Sequence, residues 1–132
     1  MDISAFNIFL EGAQKFNDGA EQNYGNQVVE TTTSSTNFPY TVIREIRNVD
    51  NDIETSSIGF SITVFAKNKG DVTKTTIARE ISALMDAYVK QTFGLTLKRV
   101  SYNVDDTYNK GSTCVIITTY TGTWLPFRKK FI

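Results

Sequence analysis

Few side chains in this sequence could do chemistry. Two carboxylate pairs, Asp50/Asp52 and Asp105/Asp106, stand close enough in sequence for acid–base work. Such work needs both carboxyls in a cleft that pushes their pKa values apart. Here each pair lies in turn-like sequence beside Asn and Gly, where an aspartate bonds its own local backbone instead. Asp50-Asn51-Asp52-Ile53-Glu54 is only a fragment of a calcium loop, which requires alternating oxygen ligands and a closing Glu. Cys114 is the single thiol, and the chain has no histidine. An activating base for that thiol and the commonest metal ligand are therefore both missing. A lone cysteine also excludes an internal disulfide. The eight glycines match neither a phosphate-binding loop nor a dinucleotide fingerprint. No catalytic, cofactor-binding or metal-binding residue is nominated, and an enzyme is disfavoured.

Basic residues cluster at Lys98-Arg99 and at Arg128-Lys129-Lys130. The second cluster is flanked by Phe127, Phe131 and Ile132, so residues 127–132 mix donors with apolar anchors, as a docking segment does. This stretch, within a C-terminal arm 125–132, is the candidate subunit or partner interface. The alternative is that the arm folds back onto its own sheet.

The elements that would position these groups follow from periodicity. Ile3, Phe6, Leu10 and Ala13 recur at helical spacing, with Asp2 or Ser4 as cap, and predict a helix to Phe16. Residues 17–37 are rich in Asn, Gly, Gln, Thr and Ser. This stretch has too little apolar surface to fix itself and reads as mobile, with Val28 and Val29 its only candidates for a short strand. Tyr40–Asn48 alternates as a strand. Ile58, Phe60, Ile62 and Val64 give a half-buried strand to Ala66, paired with the first as a hairpin. Ile77, Ile81, Leu84 and Tyr88 form one stripe on a helix from Val72 to Phe93, capped by Asp71 and ended by Gly94. A third strand, Leu95–Val104, changes face near Lys98-Arg99 and calls for a bulge. After a loop, Thr113–Trp124 forms the fourth strand, stopped by Pro126. The order α-β-β-α-β-β predicts a single α+β domain spanning 1–132, with a four-stranded, mainly antiparallel sheet and helices packed on one face. Phe60, Ile62 and Val64 should pack on the helical stripe.

Composition fits one such core. The chain has 132 residues, 40% of them apolar, and 14 basic against 14 acidic residues for a net charge of zero. Neutrality argues against a body that clings to nucleic acid or an anionic membrane. No apolar run approaches the roughly 20 residues of a membrane helix, and Met-Asp-Ile-Ser lacks the charge and apolar stretch of a signal peptide.

Phe38-Pro39-Tyr40-Thr41-Val42 and Ile58–Ala66, ending Ile62-Thr63-Val64-Phe65-Ala66, resemble paired strands of the phage tail terminator family. These are the tail-completion or head–tail joining proteins of long-tailed bacteriophages. The turn Lys67–Asp71, the helix through Ile77–Ile81, Phe93-Gly94-Leu95, Asp105–Tyr108 and Thr118-Thr119-Tyr120 follow the family's order. The likeness covers Phe38 to Trp124. The family's arginine in the last strand is missing at Thr119-Tyr120, the polar 17–37 stretch is long, and the tail from Leu125 is an addition. The resemblance implies a homo-oligomeric ring, commonly of six subunits, that closes the tail tube and meets the head connector proteins. It would be assembled in the host cytoplasm and sit at the head–tail interface of the virion, with DNA passing through without specific binding. It carries over no catalytic residues and no cofactor. A nucleic-acid-binding α+β module is the competing expectation. It would rest on Tyr102, Tyr108, Lys98 and Arg99 at a sheet surface.

Overall fold

In the computed structural model, described over residues 4–17, 23–30, 37–94 and 96–132, one six-stranded sheet carries two long helices. The elements are α1 (Ala5–Phe16), β1 (Gln27–Val29), β2 (Tyr40–Asp50), β3 (Ser56–Ala66), α2 (Lys74–Phe93), β4 (Lys98–Thr107), β5 (Thr113–Leu125) and β6 (Lys130–Phe131). Strand order is β1-β2-β3-β5-β4, with β6 on the end of β5. β1 runs parallel to β2, and the remaining pairs are antiparallel. The α+β class holds. The four-stranded antiparallel expectation is corrected to a mixed, curled sheet enlarged by the short strands β1 and β6.

The helices cover one face. Ile58, Phe60 and Ile62 of β3 pack with Met85, Tyr88 and Val89 of α2 and with Phe9, Leu10 and Ala13 of α1. Val64 and Ala66 pack with Ile77, Ala78 and Ile81. Leu84 is only partly buried against the first of these clusters. Phe9 is the hub. Its ring stacks on Phe60 at 4.4 Å and on Phe93 at 5.5 Å, and meets the edge of Tyr88 at 5.5 Å. Such aromatic pairs add to the burial of large apolar surfaces.

Both helix starts are capped by a hydroxyl. Ser4 accepts from Asn7 N–H, and Thr73, not Asp71, accepts from Thr76 N–H. Asp71 falls in the turn closed by the Lys69 and Val72 backbones, two residues too early.

β2 is buried on both faces over its first four residues. The residues facing the helices are Thr41 and Ile43, both fully buried, whereas Tyr40 and Val42 lie on the opposite face. Tyr40 is covered there by the Phe65 ring, 4.8 Å away, and by Phe38 at 5.2 Å. Ile46 sits at a register shift between Glu45 and Arg47 and points to solvent.

Part of the stretch read as mobile is tied to the domain. Asn17 Nδ2 donates to the Asn26 carbonyl at 2.8 Å, Asn26 Nδ2 donates to Asn17 Oδ1 at 3.0 Å, and Thr41 Oγ1 donates to Asn26 Oδ1 at 2.9 Å. All three residues are buried. Paired amides thus tie the turn before β1 to α1 and β2, while Val28 of β1 is buried in the core with Phe9, Leu10 and Ala13. Residues 18–22 and 31–36 of that stretch lie outside the described residues.

Candidate interaction surface

Three of the four paired carboxylates, Asp50, Asp52 and Asp105, serve their own turns. Asp50 Oδ1 accepts from Ser56 Oγ at 2.8 Å, and Asp52 Oδ1 accepts from the Glu54 and Thr55 amides, each at 2.8 Å. Those two amides hold the Asp52 carboxyl below its ordinary range. Asp105 Oδ1 accepts from the Thr107 hydroxyl at 2.7 Å and amide at 2.9 Å, which lower it likewise. Beyond Asp105 the strand runs on to Thr107 and closes through α3 (Tyr108–Gly111), a single turn whose Asn109 and Lys110 are left-handed. Lys74 Nζ ties this turn to α2 by donating to the Asp106 and Gly111 carbonyls, both at 2.5 Å. Cys114 is wholly buried, and burial pushes its thiol up. Among the described residues, no three His, Cys, Asp or Glu side chains converge as metal ligands do. No helix among them is long and apolar enough to cross a membrane.

The C-terminal candidates are divided by the fold. Arg128 N–H donates to the Leu125 carbonyl at 3.1 Å, and a left-handed Lys129 completes the reversal into β6. Trp124 then lies opposite Phe131, and the Ile132 amide bonds the Thr123 carbonyl at 2.9 Å. Phe131 is buried among Trp124 at 4.9 Å, Phe93 at 5.3 Å and Phe60 at 6.4 Å. Phe131 therefore belongs to its own chain's core. The physical reason is Gly122, where a Cβ would lie 2.8 Å from Phe131 Cδ1, so the missing side chain makes the slot for the ring. Phe127, Arg128, Lys129, Lys130 and Ile132 stay exposed.

The larger open surface belongs to the sheet. Its second face presents a depression of about 370 Å³ lined by Val42, Thr63, Phe65, Val115 and Ile117, with Arg44 and Asp105 among its polar groups. Both long edges are open among the described residues. β4 pairs only with β5, and β2 meets β1 only over Tyr40–Val42, which leaves Ile43–Asp50 without an outer strand. Ile46, Val49, Val100 and Tyr102 are exposed on these edges, as is Ile53 at the hairpin tip. The Arg99 guanidinium lies 5.5 Å from the centre of the Tyr102 ring.

Between β4 and α2, Tyr120 Oη donates to Asp86 Oδ1 at 2.7 Å, and Lys90 Nζ pairs with Asp86 Oδ2 at 2.9 Å. Burial raises the Asp86 carboxyl, but the Tyr120 hydroxyl, Lys90 and Arg99 together outweigh it and hold it below its ordinary value. Burial, and then the bond to Asp86, drive the Tyr120 phenol upward. Tyr120 is accordingly a neutral donor that fixes the carboxylate in place.

Open edges are expected of any small sheet that does not close on itself; sequence reasoning did not place them on β2 and β4. The one available signal was the parity switch between Leu97 and Val100, which the register shift between Arg99 and Ser101 matches; the shift between Glu45 and Arg47 had none. No protein-family model matches this chain, and neither does any curated protein.

Proposed function

We propose that this protein is a structural assembly subunit, a phage tail terminator that forms a ring closing the tail tube and joining it to the head connector. One observation carries the assembly part of this reading: among the described residues, a sheet shielded by helices on one face has its other face and both long edges open. An edge strand of ten residues such as β4 offers a row of unpaired backbone groups, and proteins normally cover, shorten or charge such an edge. A second chain is the natural cover. The tail-joining role rests on the strand and helix motifs between Phe38 and Trp124. The exposed Phe127, Arg128, Lys129, Lys130 and Ile132 are candidates for the contact with the tail tube or connector, with Phe131 holding their base in the core.

Sedimentation and electron microscopy of the purified chain test this. Closed rings whose inner diameter admits duplex DNA are expected. Tight binding of short DNA or RNA by a monomer at modest salt would replace this reading with the nucleic-acid module.

A further inference from the structure

The two edges that are open among the described residues are complementary. β3 runs against β2, β5 against β3 and β4 against β5, so β4 is antiparallel to β2. A second copy placed beside β4 in the same orientation therefore presents its β2 edge antiparallel to it. The helices must stay on the same side across the junction, and this restricts which residues face each other. On β2, Arg44 and Arg47 share the open face, while Glu45, Asn48 and Asp50 point to the helix side; the register shift at Ile46 separates the two halves. On β4, Ser101, Asn103 and Asp105 share the open face, while Arg99, Tyr102 and Val104 point to the helix side, with a shift at Val100.

Setting Asp105 opposite Arg44 then brings Val104 to Glu45, Asn103 to Arg47 and Tyr102 to Asn48. Ser101 comes to Val49 and Arg99 to Asp50. One register thus makes two opposite-charge pairs, Asp105–Arg44 on the open face and Arg99–Asp50 on the helix face. It also covers Arg44–Asp50 of one edge and Arg99–Asp105 of the other at once.

We propose that copies of this chain associate head to tail through β4 of one and Ile43–Asp50 of the next, in the register that pairs Asp105 with Arg44 and Arg99 with Asp50. The inference rests on reading the protein as an assembly subunit, and it names the surface. Because the contact is heterologous, repetition closes a ring where the rotation per copy allows it. Cross-strand charge pairs of this kind set register and partner choice.

Disulfide mapping tests it. Facing residues of an antiparallel pair sit about 4.5–5.5 Å apart between Cα atoms, within reach of a disulfide. In one chain, β2 and β4 are separated by β3 and β5, three spacings of about 4.8 Å, which is too far to bridge. Cys114 is buried and stays out of the reaction. Under diamide, Arg44→Cys and Asp105→Cys should each stay monomeric on a denaturing gel. Their mixture should give covalent dimers, and the double variant a ladder. Asp50→Cys with Arg99→Cys reads the same register from the other face, should loss of the Asp105 turn unfold the first set.

A cross-link formed by Asn103→Cys alone would mean that β4 pairs with its own copy about a two-fold axis, and would overturn the register. Absence of both cross-links in a particle that sediments as an oligomer overturns the edge pairing and leaves the assembly reading standing. A chain that stays monomeric up to its solubility limit removes both.

Discussion

Replacing Gly12 by alanine sets two effects against each other. In the interior of α1, alanine is favoured over glycine by about 1 kcal/mol, because glycine surrenders more backbone freedom on folding. A Cβ at Gly12, however, would lie 2.5 Å from Tyr88 Oη and 3.1 and 3.2 Å from two carbons of the same ring. Tyr88 has little room to yield. It is 1% exposed, is packed by Phe9, Phe16 and Phe93, and donates its hydroxyl to the Phe9 carbonyl at 2.7 Å. Overpacking of this kind costs about 1–3 kcal/mol. Gly12→Ala should therefore lower stability by roughly 1 kcal/mol, a fall in Tm of roughly 3–6 °C for a domain of this size.

Tyr88→Phe removes the atom nearest the new Cβ and loses a hydrogen bond worth about 1 kcal/mol. In that background the same alanine should be neutral or stabilising. The thermal melts of the four proteins form a double-mutant cycle, with an expected coupling of about 1–3 kcal/mol between the two sites. If Gly12→Ala raises Tm in the parent, or lowers it equally in both backgrounds, the contact with Tyr88 does not govern this position.

Phe131→Ala should destabilise by about 3 kcal/mol, since it empties a slot walled by Trp124, Phe93 and Phe60, while Phe127→Ser should leave the melt nearly unchanged; the contrast is read in one thermal series. Asn26→Ala should cost about 1–3 kcal/mol by leaving the buried Asn17 and Thr41 groups without their partner, measured by urea unfolding. The Asp86 carboxyl is held below its ordinary value of 3.8, so its contribution is complete above that value and drains away as pH falls through and beneath it. The parent should therefore lose more stability on acidification from about pH 5 than Asp86→Asn does, and parallel acid titration curves for the two would refute the linkage.

The most regular parts of the fold were readable before any coordinates. β3 alternates without interruption from Ile58 to Val64, and α2 keeps one stripe from Ile77 to Tyr88, so each period has a single solution. β2 did not allow that. Tyr40, Thr41, Val42 and Ile43 are all buried, and alternation cannot choose a face when both faces are covered. β1 was signalled by Val28 and Val29 alone, and the paired amides of Asn17 and Asn26 that anchor the turn before it have no local pattern. The C-terminal aromatics read as surplus because the space for Phe131 is an absence, the missing side chain of Gly122 inside a run of β-branched residues. As for the interaction surface, its charges were visible but their opposition was not. Pairing Asp105 with Arg44 needs the strand order and both bulges, which no local pattern contains.

The fold-back of β6 also gives the protein a built-in reporter. Trp124 is its only tryptophan, it is 2% exposed, and its nearest aromatic neighbour is the ring of Phe131 on that last strand. Intrinsic emission excited at the indole therefore reads one junction rather than a whole-chain average. If the final strand peels away while the sheet and helices stay intact, water reaches the indole and its emission shifts to the red, while the far-ultraviolet circular dichroism holds steady. Fluorescence and dichroism followed on the same sample would separate release of the tail from global unfolding.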